Sequence, residues 1–93
     1  MRVYRHGDII FREVGKLPEG EVKELGDTYQ QHGETGKMHT VKGVRSVTVA
    51  DRPFIITPVW PVEVTHPEHP VEWLPPDTIL EVSRVRSVTP YID

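Results

Sequence analysis

The stretch VEVTHPEHPVEWLPPD, residues 62–77, places His66 and His69 three apart, with a proline after each and Glu68 between them. Neutral imidazoles bind divalent transition metals, so the pair is half of a metal site if the chain brings both rings to one point. Two local conformations give opposite answers. In a polyproline helix, residues three apart point the same way but lie about 9 Å apart along the axis, too far to share one ion. In a β-turn the first and fourth Cα atoms lie within about 7 Å, and proline is favoured at the second position. HPEH fits the turn, with Pro67 second and Glu68 third. Both rings then reach one centre.

Zinc takes about four ligands, or three protein groups and a water. The third candidate is His39 in GETGKMHTV, just after a glycine turn and on the strand face shared with Val41. Glu68 is the carboxylate candidate, with Glu34 and Glu72 as alternatives. The set His39, His66, His69 and Glu68 suits zinc, iron, manganese or nickel, and the residue types do not choose among them. The spacing is not that of a zincin or a zinc finger. Three imidazoles with an open position can activate water. No separate general base stands out beyond Glu68 and Glu72, so whether the protein is an enzyme stays open. The plainer reading makes His66 and His69 turn residues beside proline and His39 a surface strand residue. His6 and His32 fall in glycine turns and read as structural or surface residues.

Strands must position these rings. Val, Ile and Thr supply 28 of the 93 residues while alanine occurs once, and β-branched side chains fit a pleated surface better than a helix. No window holds a helical apolar period for three turns. The chain reads as all-β, a small barrel or two-layer sandwich of short antiparallel strands. Candidate strands are 2–5, 8–14, 22–30 in part, 38–42, 44–50, 53–57, 59–65, 71–74 and 78–88, with 15–27 as a surface loop. Alternation puts Trp60, Val62, Val64 and His66 on one face, and sets Trp73 in phase with Val71 toward a core. The phase change from Leu80 and Val82 to Val85 predicts a bulge near Ser83–Arg84.

Length and charge bound the rest. Ninety-three residues make one domain, 1–93, with a modest core. The absence of cysteine excludes disulfides and thiolate sites. No stretch has the length of a membrane span or a signal-peptide core, so the expectation is a soluble, cytoplasmic protein with no membrane partner. Net charge is −3, and no basic residue lies between Arg52 and Arg84, where Glu63, Glu68, Glu72, Asp77 and Glu81 fall. A nucleic-acid binder needs a clustered basic face. Only Tyr4 with Arg2 and Arg5 offers an aromatic among cations, which leaves a weak single-strand binder as the third reading.

The chain resembles a group of small, uncharacterised bacterial and phage proteins that open with R-Q-G-D, carry G-E-x-T-G-H-x-H mid-chain, then H-E-E-H, L-P-x-G-x-Y-x-V and Q-R-E-Y-x-P. The matching text is RHGDII at 5–10, GETGKMH at 33–39, THPEHPVEWLPPDTILEV at 65–82 and RVRSVTP at 84–90. Lys37 stands where that group has its first mid-chain histidine, Asp77 where it has glycine, and Ser87 where it has the aromatic of its last block. His39, His66 and His69 match the other histidines. The resemblance implies a histidine cluster and brings no assigned activity.

Two leading readings follow. One is a β domain that binds a divalent metal. The other is a non-enzymatic interaction or assembly protein of phage type, a homo-oligomer or a subunit with a protein partner, in which the histidines are structural.

Overall fold

The β-branched residues go into eight strands: β1 (Val3–His6), β2 (Ile9–Val14), β3 (Val22–His32), β4 (Met38–Val49), β5 (Arg52–Ile56), β6 (Val62–His66), β7 (His69–Leu74) and β8 (Ile79–Arg84). The computed structural model describes residues 2–33 and 36–85, and among these there is no helix. Every ladder is antiparallel, in the order β1-β2-β8-β5-β4-β6-β7, with β3 laid along β4. The two ends of that order, β1 and β7, touch, yet no ladder joins them among the described residues. The sheet is a nearly closed barrel with one unpaired seam.

Tight turns set the registers. Gly7, with φ 62°, and Asp8 link β1 to β2 across the pair His6↔Ile9, glycine being free of the Cβ clash in that region. Ala50 (φ 50°) and Asp51 (φ 64°) link β4 to β5 across Val49↔Arg52. Two positive φ values in succession are those of a type I′ turn, here made without glycine. Pro67 and Glu68 link β6 to β7 across His66↔His69, the reversal expected of HPEH.

Strand β4 organises the barrel. Its first half pairs with β6 (Thr40↔Thr65, Val41↔Val64), and its second half with β5 (Arg45↔Ile56 to Val49↔Arg52). At the handover Gly43 has φ 76°, and β3 shifts register against β4 between Glu24 and Thr28. The break expected at Gly43 is therefore a kink inside one long strand. The buried positions change there from His39 and Val41 to Val44 and Ser46, and then to Val47 and Val49.

The main core holds Ile9, Phe11, Val41, Ile55, Val64, Leu74 and Leu80, all fully buried. A smaller cluster of Val47, Val49 and Phe54 lies toward the far end of β4. Each fully buried side chain of this kind stabilises the fold by about 1.5–3 kcal/mol relative to exposure.

Three expectations change. The loop read at 15–27 ends at residue 21, because Val22–Gly26 pair with β4 between Val49 and Ser46. No bulge interrupts β8: its ladder with β2 runs unbroken from Val14↔Ile79 to Ile9↔Arg84. The phase change marks the strand's end, after which the Val85 amide donates to the Asp8 carbonyl at 2.7 Å; residues 86–88 of that expected strand lie outside the described residues. Trp60 and Trp73 are 60 % and 52 % exposed rather than packed inside. The ladder Val62↔Leu74 and Val64↔Glu72 fixes the phase of β7, turning Leu74 inward and Val71 and Trp73 outward. Trp60 precedes β6, so the strand's alternation does not reach it.

Candidate metal centre

The inward rows of β4 and β6 change from apolar side chains to imidazoles at the same end of the barrel. His39 lies two residues before Val41, and His66 two after Val64. His69 arrives from the other side of the Pro67–Glu68 turn. Ring centroids are 4.3 Å apart for His39 and His66, 4.5 Å for His66 and His69, and 5.8 Å for His39 and His69. One nitrogen from each of the three rings lies within 4.8 Å of the other two. His39 and His66 are buried and His69 is exposed, so the cluster opens to solvent on the β7 side.

A fourth ring, which the sequence reading set aside as a turn residue, belongs to the same cluster. His6 is 3 % exposed, and its centroid lies 4.9 Å from His39, 5.6 Å from His69 and 6.3 Å from His66. Its Nδ1 is 2.8 Å from His39 Nδ1, and its Nε2 is 2.8 Å from the Pro70 carbonyl oxygen. The signal for it is in RVYRH: Val3 and Arg5 face outward, which turns Tyr4 and His6 inward.

The surroundings are fitted to the rings. A Cβ added at Gly7 would stand 2.7 Å from His69 Nε2, and one at Gly33 would stand 2.8 Å from His39 Nε2. Asp8 has its carboxylate 9 % exposed; Oδ2 accepts from Arg84 Nε at 2.9 Å, and Oδ1 lies 3.3 Å from His39 Nε2. The approach to His39 is too poorly aligned for a hydrogen bond, so in this arrangement it acts through charge. At His66 the Glu68 amide donates to Nδ1 at 2.9 Å, while Nε2 is buried without a partner among the described residues.

Burial dominates the protonation of the rings. Desolvation lowers the pKa of His39 to about 4, helped by repulsion from His66 and His6 and opposed by Asp8. Desolvation also lowers His6, against the Pro70 carbonyl bond, with His69 and His66 adding to the fall. Burial pushes Asp8 upward, but the Arg84 hydrogen bond, its own amide and the Arg84 charge outweigh it, and the carboxyl sits below its ordinary value. His39 is therefore neutral at pH 7, the state that binds metal, and burial pushes His6 the same way.

The arrangement fits an ion with small adjustments. Tetrahedral zinc, with Zn–N of about 2.0–2.1 Å, sets its nitrogens about 3.3 Å apart, so the rings would draw in by up to about 1.5 Å. For His66 to bind through Nε2 its proton must sit on Nδ1, and the Glu68 amide must let go. That exchange costs one hydrogen bond, about 0.5–1.5 kcal/mol.

The remaining candidates lie elsewhere. The Glu68 carboxylate pairs with Lys37 Nζ at 3.1 Å on the exposed side of the turn. Glu72 is half-buried, accepts from the Trp73 amide at 3.3 Å, and exerts its charge on His6. Glu34 is outside the described residues. His32 is exposed, with Nδ1 2.9 Å from the Gly36 carbonyl oxygen. Tyr4 packs on the core and donates its hydroxyl to Glu13 at 2.8 Å, so its ring is not a free stacking platform. No helix among the described residues is long and apolar enough to cross a membrane. The chain matches no family model, no curated protein and no solved structure.

Proposed function

We propose that this domain binds one divalent transition metal through His39, His66 and His69 at the imidazole-lined end of the barrel. The observation that carries the reading is the meeting of three ring nitrogens within 4.8 Å of one another from β4, β6 and β7. Two of those rings are withdrawn from solvent, and the buried His66 Nε2, without a partner among the described residues, is costly there unless a shared ion satisfies it. An all-nitrogen set favours zinc and nickel over iron and manganese, by ligand softness and by the order of divalent affinities. The resemblance to small bacterial and phage proteins points the same way, since these three histidines are the ones that match.

Elemental analysis of the purified protein, followed by melting with zinc, nickel and iron(II) added separately, tests the proposal. The expected result is bound metal near one equivalent and a melting temperature raised by zinc or nickel. Metal-induced shifts no larger than those of a His39→Ala, His66→Ala, His69→Ala variant would overturn it.

A second reading, self-association, is favoured by the outer face of β6 and β7. Val71 and Trp73 are exposed on β7, and Val59 and Trp60 are exposed just before β6; the two tryptophans line an open hollow of about 420 Å³ with Thr40, Lys42, Glu63 and Thr65. Exposed apolar groups gathered on one face are the usual mark of an interaction surface. Sedimentation over a wide concentration range, with Trp73→Ser as control, decides it: a monomer throughout removes this reading.

A further inference from the structure

Resting on the metal reading above, we infer that His6 is a fourth ligand, bound through Nδ1, and that the ion clasps the open seam between β1 and β7. The argument is one of proton placement. The Pro70 carbonyl only accepts, so the His6 Nε2 that faces it at 2.8 Å carries a hydrogen. His39 Nε2 faces the Asp8 carboxylate at 3.3 Å, and Arg84 keeps that carboxylate charged. An anion there favours a hydrogen on His39 Nε2 as well. Both neutral rings then carry their hydrogen on the outer nitrogen. Their two Nδ1 lone pairs face each other at 2.8 Å, a distance that repels unless a cation lies between them.

A proton can fill that place only at one oxygen's expense. If His39 donates from Nδ1 to His6, its Nε2 turns a bare lone pair toward a carboxylate. If the pair takes up an extra proton, a charge is buried among four rings. A metal ion removes both difficulties. Each ring would coordinate through Nδ1, with the outer N–H of His6 on the Pro70 carbonyl and that of His39 beside the charged Asp8 carboxylate, close to the way metal-bound histidines are habitually held. Ring spacing agrees. Four imidazoles on one tetrahedral ion have centroids about 5 Å apart, from a metal–nitrogen bond of about 2 Å. The six separations here run from 4.3 to 6.3 Å.

The fourth ligand changes what the site is for. Three imidazoles leave a position for water or substrate, whereas four close the coordination sphere. His6 belongs to β1 and His69 to β7, the two strands at the ends of the sheet order that meet without a ladder. The side-chain bond from His6 to the Pro70 carbonyl already crosses that seam. The ion would cross it a second time, as a structural staple.

Cobalt(II) titration of the metal-free protein, read by visible absorption with azide as the probe of an open position, tests this beside His6→Gln. Wild type is expected to give the intense bands of a four-coordinate ion and to ignore azide. His6→Gln is expected to bind at least about 10- to 100-fold more weakly, the loss that even outer-shell partners produce, and to respond to azide. Long-range ¹H–¹⁵N spectra of zinc-loaded wild type give a readout that does not depend on the variant folding: His6 and His39 should each show a metal-bound Nδ1 and a protonated Nε2. A wild-type cobalt spectrum that moves with azide, or His6 nitrogens unchanged by zinc, would overturn the fourth ligand and leave the three-histidine reading standing. No cobalt or zinc bound by wild type overturns both.

Discussion

Asp8 Oδ1 stands 3.3 Å from His39 Nε2, while Oδ2 of the same carboxylate accepts from Arg84 at 2.9 Å. The carboxylate thus links the β1–β2 turn, the end of β8 and the most buried ring of the cluster. Its charge is fixed on one side and acts on His39 on the other.

Asp8→Asn keeps the shape and removes the charge. Metal affinity is expected to fall by about 10- to 100-fold, the usual effect of losing the carboxylate behind a ligating histidine. Isothermal titration with zinc measures it, with Glu68→Gln as control. Because the Glu68 carboxylate pairs with Lys37 rather than joining the three-ring group, that control should stay within about twofold, as surface ion pairs contribute little.

The metal-free protein should lose stability as pH falls from about 6.5 to about 4. The sign follows from linkage: His39 takes up its proton near 6.5 when unfolded but only at about 4 when folded. Within that window the unfolded chain binds the extra proton, so acid favours unfolding, by up to about 1.4 kcal/mol per pH unit for each such ring. His6 on β1 shifts in the same direction. The other groups facing His39 are His66 on β6, His69 on β7 and Asp8, whose own depressed carboxyl acts below this window. Urea unfolding at pH 7.5 and pH 5 with chelator present checks it. His39→Gln should flatten the difference.

Gly33→Ala separates the site from the fold. A methyl group there would lie 2.8 Å from His39 Nε2 and 3.3 Å from the Lys37 carbonyl. His39 must move to admit it, so metal affinity should drop more than tenfold. Overpacking of this kind costs about 1–3 kcal/mol, which thermal unfolding will show. Gly7→Ala meets His69 Nε2 at 2.7 Å and also has φ 62° to overcome, so it should be worse on both counts.

Trp73→Ala and Leu74→Ala test the phase of β7. Leu74 is fully buried and its truncation should cost about 2–5 kcal/mol. Trp73, half-exposed on the outer face, should change stability by less than about 1 kcal/mol. Equal losses at both positions would mean the strand is turned over.

What the sequence discloses about the site divides by distance along the chain. The turn at His66–His69 is legible because proline and four residues decide it locally. His39 is legible because alternation from Val41 carries it inward. His6 is hidden because its place depends on β1 meeting β7, a closure between strands 63 residues apart at His6 and His69. Local alternation in VYRH turns the ring inward but does not say what it meets there. Trp73 misleads for the related reason that a single strand's alternation gives two faces without saying which is inside; only the pairing Val64↔Glu72 decides. The all-β class needed no such long-range knowledge, since β-branched content and punctuation by glycine and proline settle it.

The turn at Ala50 and Asp51 sits at the end of β4 away from His39. Two ordinary side chains hold left-handed backbone there, at a cost of about 1–2 kcal/mol for a residue such as alanine. Rewriting the pair as Asn-Gly should release that strain and raise the melting temperature while leaving the imidazoles untouched. A sturdier background of this sort would let ligand-removing variants survive long enough for their chemistry to be measured.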